Sequence, residues 1–77
     1  MIKAYILITA KPGDTKSVFD ALDNVKGITQ AHQVMGPYDI VAEIEVDDLA
    51  GVPPILSEHI RTIDGVENTT SLVTFPG

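Results

Sequence analysis

The segment Gly36-Pro37-Tyr38-Asp39, near the middle of the 77-residue chain, concentrates residue types that can bind a small polar molecule. Glycine permits close backbone approach, proline fixes its own φ, tyrosine adds an aromatic wall with a hydroxyl, and aspartate adds a carboxylate. The backbone N–H groups of Tyr38 and Asp39 could receive a carboxylate while Asp39 receives an ammonium. The residue types leave two interpretations open: a loop that holds an amino acid, or an ordinary connection in which Asp39 caps its own backbone.

A second polar group, Asn68-Thr69-Thr70-Ser71, places four small uncharged side chains in succession. Threonine favours strands, so the segment is typical of a solvated edge strand. The alternative hypothesis is a row of hydroxyls that holds the polar head of a ligand.

Other chemistry has weak support in this sequence. His32 and His59 have no spacing to each other or to a carboxylate that would indicate a metal site, and cysteine is absent. There is no nucleophile elbow and no phosphate-binding glycine loop. We therefore predict no metal, no cofactor and no enzymatic activity, although acid–base chemistry through Tyr38, Asp39 or a histidine stays open.

The elements that position these groups follow from an internal repeat with an offset of 38 residues. Alternating apolar residues come first, then an apolar stripe with helical spacing, then a glycine followed by an apolar residue. The matching sets are Ile2, Ala4, Ile6 and Ile8 with Ile40, Ala42, Ile44 and Val46; Val18, Leu22 and Val25 with Leu56, Ile60 and Ile63; and Gly27-Ile28 with Gly65-Val66.

This repeat predicts the order βαββαβ, a ferredoxin-like α+β fold with a four-stranded antiparallel sheet and two helices on one face. Asp14 is a good N-cap for the first helix, and Gly27 suits the left-handed position after it. Pro53 and Pro54 are tolerated only in the first turn of the second helix. The predicted strands cover residues 1–10, 28–35, 39–46 and 66–75, and the predicted helices cover roughly 15–26 and 52–63.

Length and charge restrict the class of protein. Residues 1–77 are enough for one small domain, since domains need about 50–200 residues. The formal charge of −6 disfavours direct nucleic-acid binding, and it is uneven: +1 over residues 1–38 and −7 over 39–77. The apolar run of residues 1–10 is too short to span a bilayer. We read it as a strand and expect a cytoplasmic protein without membrane contact.

The sheet face opposite the helices is predicted to be apolar and uncovered. Odd positions of the two central strands place Tyr5, Leu7 and Val41 there. Odd positions of the outer strands are expected to add Met35, Val73 and Phe75. A second copy packed sheet to sheet would bury this face, giving a dimeric α+β barrel.

G-x-Y-D between the second and third strands, followed by Gly65-Val66-x-x-Thr69-x-Ser71, resembles the effector (RAM) domain of Lrp/AsnC regulators. The likeness covers essentially the whole chain, without the family's helix-turn-helix, so it resembles a stand-alone form. The resemblance implies sheet-paired dimers, assembled into octamers or decamers, that bind amino acids between dimers. Carried over by position, the ligand contacts would be Gly36, Tyr38, Asp39, Thr69 and Ser71.

The leading hypothesis is therefore an amino-acid-sensing, homo-oligomeric module that acts through its assembly state or by joining full-length Lrp/AsnC-type regulators. One alternative is an enzyme on the same dimeric scaffold that acts on a small organic molecule. The other is a purely structural oligomerisation partner.

Overall fold

A computed structural model of the chain, which describes residues 1–75, contains one antiparallel sheet and two helical segments. The strands are β1 (Ile2–Ala10), β2 (Ile28–Gln33), β3 (Ile40–Val46) and β4 (Val66–Val73), arranged in the order β2-β3-β1-β4. The first helix, α1, is Thr15–Leu22. The predicted ferredoxin-like fold is confirmed.

The even positions of the central strands β1 and β3 form the core beneath the helices. Cross-strand partners such as Ile6 with Ala42 and Ile8 with Ile40 are fully buried. Val18, Leu22 and Ile60 cover them from the helical layer, as the repeat predicted. Burying large aliphatic side chains in this way contributes about 1.5–3 kcal/mol each, which is why the alternation determines the face of each strand.

The helix α1 begins where the sequence predicted but ends earlier, at Leu22. The next N–H groups bond three residues back, from Asn24 to Ala21 at 3.2 Å and from Val25 to Leu22 at 3.0 Å. Such bonds tighten the chain into turns, and Asp23 and Asn24 have low helix propensity. The turns lead to Gly27, whose φ of 101° confirms the predicted left-handed conformation.

The second helical segment, here called α2, runs over residues 49–60 in three forms. It begins as a 3₁₀ turn (Leu49–Gly51), continues as one α-helical turn (Val52–Pro54) and ends as a π-helix (Ile55–Ile60). Its last bond runs from the Arg61 N–H to the Leu56 carbonyl, five residues back, at 2.8 Å. The α-helical turn begins at Val52, where the helix was predicted to start, but a 3₁₀ turn precedes it. The predicted extension to residue 63 is wrong because turns follow Ile60.

Both outer strands contain a bulge after their first residue, and this corrects the prediction that Val73 lies on the open sheet face. Thr29 is the extra residue in β2 and Glu67 the extra residue in β4, again 38 apart. A bulge shifts the side-chain alternation by one residue. Val73 therefore pairs with Ala4 on the helical side of the sheet, and Leu72, paired with Tyr5, lies on the open face instead.

Phe75 is also misassigned by the alternation rule. It follows the end of β4 and lines a groove with Ile2, Leu49 and Val73, on the helical side. Met35 lies beyond the end of β2 with a fully exposed side chain. Over residues 1–75, none of the helices has the length and apolar character needed to cross a bilayer.

Candidate functional site

The Gly36–Asp39 loop connects β2 to β3 at the carboxyl end of β1. Gly36 has a φ of 143°, a conformation that favours glycine, and nothing would touch an added Cβ there. The Val34 N–H donates to the Asp39 carbonyl at 2.9 Å and closes the loop. Tyr38 and Asp39 are half-buried, while Gly36 and Pro37 are exposed.

Asp39 joins this loop to the end of β1. Its Oδ2 accepts a hydrogen bond from the Ala10 N–H at 2.8 Å, and its own N–H donates to the Ile8 carbonyl at 2.9 Å. Because the Asp39 N–H is already bonded, the expectation that it is free to receive a carboxylate is wrong. The bond to Ala10 also differs from the alternative interpretation, in which Asp39 caps its own segment.

Thr69 and Ser71 lie on β4, on the helical side of the sheet. They are the cross-strand partners of Ile8 and Ile6, whose side chains face the core. The Thr69 hydroxyl accepts a hydrogen bond from Arg61 Nε at 3.2 Å. Ser71 is exposed and lies two residues further along β4, away from the Gly36–Asp39 loop.

The five predicted residues do not converge within one copy of the chain. Asp39 and Thr69 lie at the same end of the sheet, but on opposite sides of β1. Strands are about 4.8 Å apart, so two strands that flank a third are separated by about 10 Å. A ligand that contacts both groups of one copy directly would have to span that separation.

A cleft of about 330 Å³ lies beside Thr69, between the end of α2 and the start of β4. It is lined by Arg61, Val66, Glu67, Asn68 and Thr69. Arg61 and Glu67 were not among the predicted site residues. The signal for Arg61 was present in the sequence, because it is the only lysine or arginine in positions 39–77.

The two histidines are on different parts of the fold. His32 is paired with Val41 on the open sheet face, and its Nε2 lies 3.3 Å from Gln30 Oε1. His59 is an exposed residue of α2, on the other side of the sheet. They do not share a site.

The open sheet face has an apolar centre and a polar rim. Its centre, here called the apolar stripe, consists of Tyr5, Leu7, Val41 and Leu72, which are neighbours across the strands. In the rim, Lys3 Nζ and Glu43 Oε1 are 3.2 Å apart. The hydrogen bond and the charge of Glu43 raise the pKa of Lys3 above its ordinary value of 10.5.

A ferredoxin-like fold with one uncovered sheet face is the architecture of a small α+β domain whose sheet can pair with another. The chain belongs to the Lrp/AsnC family, because the family model described as the Lrp/AsnC ligand binding domain matches residues 3–75. That domain is a regulatory ligand-binding part of transcriptional regulators rather than a class of enzyme.

Individual relatives agree with this assignment. The chain is 31% identical over 74 residues to an uncharacterised helix-turn-helix-type transcriptional regulator of Pyrococcus horikoshii, covering 95% of this chain and 47% of the regulator. It spans about half the length of the curated relatives it matches.

Solved structures support the same fold. A protein of Thermus thermophilus superimposes with a TM-score of 0.94 at 27% identity, covering 100% of this chain and 96% of that one. A transcriptional regulator of Neisseria meningitidis, solved as a complex with L-Met, superimposes with a TM-score of 0.86 at 13% identity. That match covers 97% of this chain and 50% of the regulator, and it shows the fold alone.

Proposed function

We propose that this chain is an amino-acid-responsive effector module that works as a homo-oligomer. The observation that carries the proposal is the match to a ligand-binding domain over residues 3–75. The N. meningitidis regulator of the same fold, solved with L-Met, supports an amino acid as the ligand class.

Assembly begins with the apolar stripe. Leu72 is 52% exposed, and Tyr5, Leu7 and Val41 are partly exposed beside it. A second copy packed against this face removes these side chains from water, and a two-fold contact lets each copy cover the other. Dimers then associate further, into octamers or decamers.

The ligand binds where the Gly36–Asp39 loop of one copy meets β4 of another. Gly36 and Tyr38 offer backbone to the ligand, Asp39 offers the carboxylate oxygen that does not bond Ala10, and Thr69 and Ser71 offer hydroxyls. Because β1 separates the two groups within one copy, an assembly that sets the loop of one copy against β4 of another would bring them around one small molecule. The ligand stabilises that assembly by its differential affinity.

The response is transmitted through the assembly. With a net charge of −6 over the chain, we assign no direct DNA contact to these residues. Mixed oligomers with full-length Lrp/AsnC-type regulators would couple the bound amino acid to transcription.

Ligand binding is tested by thermal unfolding with each of the twenty amino acids, together with the light-scattering mass. We expect at least one amino acid to raise Tm and to shift the mass. Asp39→Asn keeps an oxygen that can accept from Ala10 N–H, so it should fold and yet show a smaller ligand-induced rise in Tm. Asp47→Asn, at an exposed position of equal charge, is the matched control. If no amino acid raises Tm, the sensing function is wrong and only a structural module remains.

Assembly is tested with two leucines of similar exposure on different faces. Leu72, 52% exposed, lies on the apolar stripe, whereas Leu49, 56% exposed, lies on the helical side. Leu72→Asp should reduce the solution mass to that of a monomer, and Leu49→Asp should leave it unchanged. A monomeric wild-type protein would contradict the proposal.

A further inference from the structure

We propose that Arg61 and Glu67 bind the α-carboxylate and the α-ammonium of the amino-acid effector in the cleft beside Thr69. This inference rests on the proposed function and names the two charged groups that select the ligand. It also predicts that the effector is an amino acid without an acidic side chain.

Arg61 is held in a position that suits a carboxylate. Its backbone N–H ends the π-helix at the Leu56 carbonyl, and its Nε donates to the Thr69 hydroxyl. The two terminal nitrogens of the guanidinium remain for a ligand, and their planar fork matches the two oxygens of a carboxylate. The ion pairs among residues 1–75 are Lys3–Glu43 and Lys16–Asp20, so Arg61 is in neither.

Glu67 supplies the opposite charge on the wall of the same cleft. It is the extra residue of the β4 bulge, and bulges re-aim side chains at the edges of sheets. Although Arg61 and Glu67 line one cleft of about 330 Å³, they do not form an ion pair with each other. A positive and a negative group kept apart in this way match the two charges on the α-carbon of an amino acid.

The Gly36–Asp39 loop is a poorer receptor for the carboxylate. The Asp39 N–H is bonded to Ile8, and the Asp39 side chain is itself an anion. Arg61, in contrast, is a cation and the only lysine or arginine of positions 39–77. The strongest anion receptor near the predicted hydroxyls is therefore Arg61.

The surrounding charge explains the expected selectivity. Positions 39–77 contain eight acidic residues, and Glu67 is one of them. Their field opposes ligands with a second negative charge, whereas the α-ammonium of a neutral amino acid offsets it. Two local irregularities create the site, since a π-helix presents Arg61 and a bulge presents Glu67. Both kinds of irregularity are frequent at functional sites.

The experiment measures the affinity of three forms of one ligand by titration calorimetry. The ligand is whichever of the twenty amino acids raises Tm most, and the other two forms are its α-amide and its N-acetyl derivative. The wild-type protein should bind each capped form about tenfold more weakly, because each has lost a charge-assisted contact.

Two variants assign those contacts to residues. Arg61→Gln should bind the amino acid about tenfold more weakly and no longer distinguish it from its α-amide, while still rejecting the N-acetyl form. Glu67→Gln should also bind the amino acid about tenfold more weakly. It should no longer distinguish the amino acid from its N-acetyl derivative, while still rejecting the α-amide. Lys26→Gln and Asp47→Asn, both at exposed positions outside the cleft, should bind like the wild type.

Each outcome decides something. If an amino acid binds and Arg61→Gln retains wild-type affinity and discrimination, this inference is wrong while the proposed function stands. Equal binding of the α-amide by the wild type overturns it without any variant, so the test does not depend on the stability of Arg61→Gln. If no amino acid binds the wild type, both proposals are wrong.

Discussion

The two halves of the chain, β1-α1-β2 and β3-α2-β4, share one apolar pattern but differ in regularity and charge. Each half buries an aliphatic stripe, turns at a glycine with a φ near 100° and places a bulge after the first residue of its outer strand. The first half has a regular eight-residue helix and a net charge of +1, whereas the second has the three-form α2 and a net charge of −7. The shared pattern builds the scaffold, and the second half adds the irregular, charged features that form the cleft.

The shared pattern does not extend to every position. Gly13 and Gly51 are also 38 residues apart, yet Gly13 has a φ of 86° and Gly51 a φ of −76°. A turn precedes α1, whereas a 3₁₀ turn continues directly into the α-helical part of α2. The halves are therefore equivalent in their core and different in how their helices begin.

The largest expected effect comes from the two equivalent glycines. A Cβ at Gly65 would lie 2.9 Å from Asp14 Cβ and 3.0 Å from Val18 Cγ2, whereas one at Gly27 would meet only the end of the Ile55 side chain, at 3.1 Å. Left-handed backbone costs a residue with a side chain about 1–2 kcal/mol, and overpacking adds about 1–3 kcal/mol.

Gly65→Ala should therefore destabilise the protein by about 3 kcal/mol and Gly27→Ala by about 1–2 kcal/mol, as measured by urea unfolding. Gly13→Ala is the control, because it has a positive φ and nothing within 4 Å of the added Cβ. Equal losses at Gly65 and Gly27 would mean that the two turns are packed alike.

The starts of the two helical segments provide a smaller test. Asp48 and Asp14 are the N-cap residues of the two helical segments. The Asp48 side chain accepts from the Ala50 N–H at 2.9 Å, whereas the Asp14 side chain makes no capping bond. Asp48→Ala should cost about 1 kcal/mol and Asp14→Ala only about 0.3 kcal/mol. Chemical denaturation at one ionic strength compares the unfolding free energies of the two variants. A larger loss of stability in Asp14→Ala would show that Asp14 caps α1 in solution.

The smallest effect concerns the ion pair between β1 and β3, which joins the halves across the open face. Since Glu43 raises the pKa of Lys3, the folded pKa lies above the unfolded one. The ion pair therefore stabilises the folded protein fully below pH 10.5, and this stabilisation is lost as the pH rises through the folded pKa of Lys3.

The stability difference between wild type and Glu43→Gln should therefore be constant at neutral pH and shrink above pH 10.5. The stability difference between wild type and Glu45→Gln should also shrink above pH 10.5, but by less, because Glu45 is the weakest of the groups that raise the pKa of Lys3. A difference that grows with pH would contradict this assignment.

The sequence predicted the core well because the central strands alternate strictly and their partners are aliphatic. It failed at the outer strands, where Thr29 and Glu67 shift the alternation and move Val73 to the helical side. A bulge has no distinctive residue type here, so the pattern could not reveal it. For the candidate site, the sequence named Asp39 and Thr69 but could not indicate that Asp39 bonds to Ala10, 29 residues away.

By itself, the sequence determined the order of the elements, the buried stripe and the uncovered sheet face, because hydrophobic burial depends on periodicity that a single chain displays. Only the tertiary structure decided which strand edges meet, which backbone groups are already bonded and which charges share the cleft beside Thr69. Those features depend on hydrogen bonds between residues distant in sequence, and such bonds form only once the strands are in register.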